Sequence, residues 1–380
     1  MSARGFTLLE VLVGGAIGLL AIGMMLAVFM SQTGTFAKLD LAREANANGR
    51  DAAMEMQASL KRAGFGIDPN LAFDFTCPVG SNCHDRVNAA DEITFYSRNP
   101  SYLWTPQNAA LGCNTAGGCF GGGNIWPITG TTSGGSPTVT VTLGANDVLH
   151  KGRIVLAVCS GGASPVYGTV NTRQTGPGAK TVAVTINTTG LAAGNAFVAC
   201  HSQAGSALFL IDKFHYLINT INAEPWLVLD TGLDYNNDST VPPADANDLI
   251  PVARDVEDLQ IAYQLGRLNA GVGPDSNNDW VVGNQAGTQE EPSAAAVPPI
   301  AGTANGTMHP GNIRGVRVTL VLRTRLRDNT LRGTSAGDPG FTSENRNDVT
   351  AITVSNFHRY PQTFSVAIRN MTSPNPYLLF

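Results

Sequence analysis

Charge is scarce in this sequence. Only 14% of the 380 residues are Asp, Glu, Lys or Arg, against about a quarter in ordinary soluble domains. The net charge is −5, and there is no basic tail and no cluster of Lys or Arg. That removes the electrostatic footprint a nucleic-acid binder needs. Catalytic signatures are missing too. The six histidines are scattered, with no H-E-x-x-H and no C-x-x-C nearby. Gly333-Thr334-Ser335-Ala336-Gly337 has the G-x-S-x-G form, but a nucleophile elbow needs a strand before it and a helix after it. Here polar Arg327-Asp328-Asn329-Thr330 precedes and Asp338-Pro339-Gly340 follows, so the segment reads as a turn. Gly178-Ala179-Lys180-Thr181 lacks the glycine that must adjoin the lysine of a phosphate loop. No strand–helix alternation and no internal repeat is found. These absences leave no case for an enzyme or an organic cofactor.

What the chain does have is an apolar run near its start. From Val11 to Met30, 20 residues pass without a charged or strongly polar side chain. As a helix at about 1.5 Å per residue, the run spans roughly 30 Å, the hydrocarbon thickness of a bilayer. A secretory signal would have a shorter apolar core, with small residues at a cleavage site after it. Here the small residue, Gly5, comes first, so the expected cut is between Gly5 and Phe6, which keeps the apolar helix on the mature chain. One carboxylate, Glu10, stands at the mouth of the run. An ionised carboxylate in hydrocarbon costs at least about 2.5 kcal/mol and needs a partner. Cleavage would create one, the α-amino group of Phe6, on the same subunit or on a neighbour in a helical assembly.

Gly5-Phe6-Thr7-Leu8-Leu9-Glu10-Val11 resembles the prepilin signature of type IV pilins and type II secretion pseudopilins. The resemblance implies a prepilin peptidase that cuts after Gly5, N-methylation of Phe6, and a role for Glu10 in assembly. It implies as partners the major pilin, other minor pilins and an inner-membrane assembly platform, with the lipid bilayer holding the subunit beforehand. The implied location is the inner membrane, crossed once with a periplasmic head, and then the pilus outside the cell.

The helical pattern continues beyond Met30. Phe36, Leu39, Ala42, Ala45, Gly49, Ala52, Ala53, Met56 and Leu60 recur at three- and four-residue steps between charged residues. The helix is expected to run from Phe6 to Ala63 and to stop at Gly64-Phe65-Gly66, with Pro69 beyond. The glycines 14, 15, 18 and 23 permit close helix contacts or are simply tolerated in a membrane span. Met56 to Phe65 resembles the end of the same helix in PilW-type minor pilins and J-type minor pseudopilins.

From Phe65 onward the texture is short β-rich runs between Gly, Pro, Asn and Ser clusters, in a chain with 42 glycines and 21 prolines. Strands are expected at Glu92–Arg98, Thr138–Leu143, Arg153–Cys159, Thr181–Asn187, Ala207–Asn219, Trp226–Leu229, Leu259–Leu265, Val316–Arg325 and Thr363–Arg369. Long loops are expected at Gly112–Gly135 and Gly266–Gly315. The strands at Asp91–Tyr96, Val256–Tyr263, Val316–Thr324 and Phe364–Asn370 resemble head strands of PilW-type proteins, in the same order. The expected fold is α+β and pilin-like, one long N-terminal helix on a mostly antiparallel β-rich head. Its parts are a leader at 1–5, a membrane or filament-core half-helix at 6–30, an amphipathic half at 31–63 and a disulfide-bonded head at 64–380.

Six cysteines, Cys77, Cys83, Cys113, Cys119, Cys159 and Cys200, fit a head folded outside the cytoplasm. Fifteen connectivities are open. Spacing favours Cys77–Cys83 and Cys113–Cys119, which close short loops, with Cys159–Cys200 joining two apolar strands. A metal site at Cys83-His84 is the alternative for the first pair. Two stretches have the alternate-oxygen spacing of a calcium loop. One is Asp234-x-Asn236-x-Asp238 with Asp245 at the twelfth position, although Ser239 replaces the usual glycine. The other is Asp275-x-Asn277-x-Asp279. The competing reading is a pair of Asx turns.

The sequence therefore reads as a minor pilin that helps prime or cap a type IV pilus. A secretion pseudopilin and a membrane-tethered adhesin or binding head are the alternatives. Replacing Gly5 with Leu should leave the unprocessed precursor in the membrane, because a bulky side chain obstructs the peptidase at the helix mouth. Mass spectrometry of the N-terminus reads the outcome, and a normally matured Gly5→Leu chain would count against the pilin resemblance.

Overall fold

A threonine starts the long helix. The computed structural model describes residues 7–67, 69–75, 90–98, 125–132, 138–143, 148–158, 166–186, 207–242, 245–265, 280–282, 310–326, 357–368 and 371. Helix α1 runs Leu8–Leu60, 53 residues, or roughly 80 Å. It ends three residues before the expected Ala63. Gly64 (φ 75°) and Gly66 (φ 66°) take the left-handed conformation that glycine adopts without steric cost, and the chain turns away there. The turn is stitched into the head: the Gly64 N–H donates to the Tyr96 carbonyl at 3.0 Å and the Arg98 N–H to the Phe65 carbonyl at 2.7 Å.

Only the last third of the helix is buried against the head. Ala45, Gly49, Ala52, Ala53, Met56, Ser59 and Leu60 form its inner face, at the steps a helix needs to keep one face inward. Phe36 and Leu39, expected on that face, are 65% and 48% exposed. The amphipathic stretch thus starts before the helix reaches the head. Small residues let the helix come close: a Cβ on Gly49 would lie 2.5 Å from Leu322 Cδ1 and 2.9 Å from Gln362 Cγ. Polar links fix the rotation. The Tyr216 hydroxyl donates to Ser59 Oγ at 3.0 Å, and the Gln362 amide donates to Asn46 Oδ1 at 3.2 Å. Just past the helix, Arg62 and Arg153 each hold one oxygen of Asp212 at 2.8 Å.

The described strands, in chain order, are β1 (Phe73–Asp74), β2 (Ile93–Arg98), β3 (Ile125–Thr132), β4 (Thr138–Leu143), β5 (Val148–Leu149), β6 (Ile154–Val158), β7 (Val166–Val170) and β8 (Gln174–Thr175). Then come β9 (Gly178–Ile186), β10 (Ala207–Ile221), β11 (Glu224–Asp230), β12 (Ile250–Arg254), β13 (Val256–Leu265), β14 (Trp280–Val282), β15 (Ile313–Arg323) and β16 (Arg359–Ala367). Their pairings are antiparallel. The architecture is therefore α+β, a long N-terminal helix on antiparallel sheets. One sheet has the order β14-β13-β15-β16, and α1 packs on β15 and β16.

The larger sheet is organised by β10, which is 15 residues long. Its first part pairs with β3 on one side and β6 on the other, and its second part pairs with β2 and β11. Because β3 pairs β4, β4 pairs β9, β9 pairs β7 and β7 pairs β6, six strands close into a ring. The ring has its own core, which includes Val139, Val141, Val155, Val182, Val184, Leu208 and Leu210. Phe209, Ile211, Ile154 and Leu156 belong instead to the main core between the ring, the smaller sheet and α1. Successive side chains of a strand point to opposite faces, so β6 and β10 form a wall shared by two interiors.

All nine expected strands are present, within a few residues at each end. The two expected long loops are corrected, since β3 lies inside 112–135 and β14 inside 266–315. Pro127 and Gly130 masked β3, whose register shifts between Ile128 and Gly130. Pro251 masked β12, an edge strand, where a proline is tolerated.

Gly49→Leu should destabilise the docked helix by about 2 kcal/mol through overpacking against Leu322. Gly34→Leu, at an exposed position with nothing within 4 Å, should not. Thermal unfolding of the full chain in detergent should show a lower midpoint for the first variant alone.

Candidate functional site

Two regions present chemistry that packing alone does not explain: the free part of the helix and an acidic loop between β11 and β12. The helix is long and apolar enough to cross a membrane, and its apolar window has no burial in the molecule. Leu8, Leu19, Met25, Phe29 and Met30 are among its exposed side chains.

Glu10 sits at the start of this surface, in an arrangement that spacing for membrane spans did not bring out. Its carboxylate accepts from the Thr7 N–H at 3.0 Å and the Thr7 hydroxyl at 3.1 Å, while the Glu10 N–H donates to Thr7 Oγ1 at 3.3 Å. This is a capping box, which satisfies donors the helix start leaves open. The signal, Thr followed three residues later by Glu, was readable in the sequence. Glu10 thus has partners within its own chain besides the amine expected at Phe6. Gly5 and Phe6 lie outside the described residues, as do all six cysteines with their expected pairings, Cys83-His84, and Asp275, Asn277 and Asp279.

The first acidic stretch is described. Asp234 (2% exposed) accepts from the Asn237 N–H at 2.5 Å and the Ser239 N–H at 3.0 Å, one on each oxygen. Asn236 Oδ1 accepts from the Asp238 N–H, and Asp238 Oδ1 from the Thr240 N–H. The Asn236 amide donates to Asp238 Oδ2 at 3.2 Å and to Asp245 Oδ2 at 2.6 Å, so it ties the two carboxylates together. Asn237 and Ser239 take left-handed conformations, φ 63° and 74°. The expected residues Asp234, Asn236, Asp238 and Asp245 are therefore brought into one loop, with the side-chain-to-backbone bonds of Asx turns. Among the described residues no three His, Cys, Asp or Glu side chains are grouped to hold a metal ion. Sequence reading missed Asp248, whose Oδ1 accepts from the Tyr235 and Asn236 N–H groups at 3.0 and 3.1 Å.

The loop is anchored on the segment between β5 and β6. The Asp234 N–H donates to the Lys151 carbonyl at 3.1 Å, the Lys151 ammonium donates to the Ser239 carbonyl, and His150 Nδ1 lies 3.0 Å from the Asp234 carbonyl. Gly152, at φ 82°, must be glycine, because a Cβ there would lie 1.9 Å from the Gly232 carbonyl oxygen.

Beside the loop is a partly buried charge cluster that sequence reading also missed, since it joins residues far apart in the chain. His215 Nδ1 lies 3.0 Å from Asp230 Oδ2 and Nε2 lies 3.4 Å from Glu92 Oε2, while the Lys213 ammonium holds Asp230 Oδ2 at 2.8 Å. Asp230 Oδ1 accepts from the Gly232 N–H at the entrance of the loop. Burial and the Lys213 charge push the His215 pKa down, but the hydrogen bonds to Asp230 and Glu92 outweigh them and leave it raised. Burial pushes Asp230 up, and its hydrogen bonds and charge contacts with His215 and Lys213 outweigh that and hold it at about 2.

No protein-family model and no curated protein matches the chain. Among solved structures there is a likeness to the type IV-like pilin TTHA1219 from Thermus thermophilus, at 13% identity and a TM-score of 0.22, covering 59% of this chain and 87% of that one. A likeness so slight carries no argument about function.

A histidine whose folded pKa exceeds its unfolded value stabilises the fold fully below about pH 6.5, and the contribution is lost as pH rises through the folded value. The full chain should therefore unfold at lower temperature as pH is raised above about 6.5, and His215→Gln should flatten that slope. Asp230 acts at the other end: its contribution is present above about pH 4 and fades as pH falls towards 2. Calorimetry across the pH range reads both effects.

Proposed function

We propose that this chain is a minor pilin, a structural subunit that docks through its N-terminal helix and helps prime or cap a type IV pilus at its tip. The observation that carries this reading is the free apolar half of α1, which is not buried by any of the described residues. Such a rod is stable in a bilayer or among other rods like it, and a subunit that passes from one to the other satisfies both surroundings. The prepilin-like Gly5-Phe6-Thr7-Leu8-Leu9-Glu10 motif supports the same reading. So does Glu10, which caps its own helix and retains acceptor capacity for the amine of a neighbour.

Head size favours the tip. A compact head of more than 300 residues has a radius of gyration of about 20 Å, whereas packed helices lie about 8–10 Å apart. Neighbours at such spacing do not all accommodate heads this broad. The partners proposed are the prepilin peptidase, the major pilin, other minor pilins and the inner-membrane assembly platform.

Glu10→Ala subunits should remain in the membrane fraction and be depleted from sheared filaments at least tenfold relative to the wild type. Equal incorporation would reduce α1 to a plain tether. Gold labelling of the head on intact filaments should mark ends, and label along the whole shaft would remove the tip assignment.

A further inference from the structure

We propose that Asp91 and Glu92 form a clasp between the two sheets, and that the protonation state of His215 opens and closes the Glu92 end of it. The inference does not depend on the pilin reading.

The clasp consists of two consecutive buried residues that lead into β2. Asp91 reaches the smaller sheet. Its N–H donates to the Leu259 carbonyl of β13 at 2.8 Å, and its Oδ2 accepts from the Ile261 N–H at 2.9 Å. Glu92 reaches the larger sheet, where its Oε2 lies 3.4 Å from His215 Nε2 on β10. The ladder between β2 and β10 ends at the pair Ile93 and Tyr216. Glu92 therefore stands one residue past the last main-chain pair, and its side chain carries the hold on β10 one step further.

The geometry at His215 makes that hold conditional. Both ring nitrogens face carboxylate oxygens, Nδ1 towards Asp230 Oδ2 at 3.0 Å and Nε2 towards Glu92. An imidazolium has two N–H donors and serves both. A neutral ring has one N–H and one lone pair, so one of the two contacts becomes acceptor against acceptor. Asp230 is the fixed partner: its Oδ2 also accepts from the Lys213 ammonium at 2.8 Å, and its Oδ1 accepts from the Gly232 N–H at 2.6 Å. The longer contact, to Glu92, is the one given up.

The surrounding groups set the direction of the switch. The charges acting on the ring are Asp230 of β11, Glu92 at the entry to β2, and Lys213 of β10 itself. Tyr96 of β2, across from Lys213, donates its hydroxyl to Asp74 of β1 at 2.8 Å, and burial keeps it neutral by pushing its pKa up. Against burial, the hydrogen bonds to Asp230 and Glu92 keep the His215 pKa raised. The clasp is thus shut below about pH 6.5 and opens as pH rises through the folded value.

The test is hydrogen exchange of the full chain in detergent, read by mass spectrometry on peptides covering 90–94 and 259–262. Labelling times are scaled for the effect of pH on chemical exchange. Raising the pH from below about 6.5 through the titration of His215 should speed exchange in both peptides about tenfold, the loss of one charge-assisted hydrogen bond. A peptide covering 180–184 of β9 should not change. Glu92→Gln should remove the step, because the amide accepts from a protonated ring and, turned over, donates to a neutral one. His215→Gln should remove it as well. A wild-type chain whose exchange at 90–94 and 259–262 is the same across the titration overturns the proposal. So does a Glu92→Gln chain that keeps the full step, which would place the sensitivity at Asp230 alone.

Discussion

An apolar rod cannot stand in water, and the rest of the molecule is arranged around that constraint. The first half of α1 has hydrophobic side chains on every side, so no orientation against the head would hide them all. The structure leaves this half free and docks the helix only where one face turns small. Ala45, Gly49, Ala52 and Ala53 allow the helix to lie close on β15 and β16, and Met56 and Leu60 then enter the main core. The join depends on shape first. The polar contacts at Asn46, Ser59 and Arg62 fix the rotation and the end point of the helix.

Much of this was legible in the sequence because it is written in short periods. The apolar run from Val11 to Met30, the three- and four-residue steps after it and the alternation in Thr138–Leu143 each depend on a few neighbouring residues. Two of the strands that were not expected, β3 and β12, were hidden by residues that usually break strands: Pro127 and Gly130 in the first and Pro251 in the second. The stripe was read as starting at Phe36, since periodicity marks a face but does not say where a partner begins.

The sites divide in the same way. Thr7 and Glu10 form a local motif that could have been found by spacing, and the Asp234–Asp245 spacing did bring four residues into one loop. Asp248 lay outside the pattern because it falls three residues beyond the twelfth position of the calcium-loop spacing. The cluster of Glu92, Lys213, His215 and Asp230 was invisible, because it exists only once β2, β10 and β11 lie side by side. No periodicity records such a meeting.

The wall formed by β6 and β10 has a further consequence. Alternate side chains of the same strands line two interiors, with Leu208 and Leu210 on one side and Phe209 and Ile211 on the other. Neither interior can shed the wall and stay dry. Although the described residues form two separate cores, they leave no seam along which the ring could melt by itself, because opening the ring wets the surface on which the main core rests. Disorder that starts in the ring is thus transmitted to the packing beneath α1, and the cooperativity of the head resides in two adjacent strands rather than in either core.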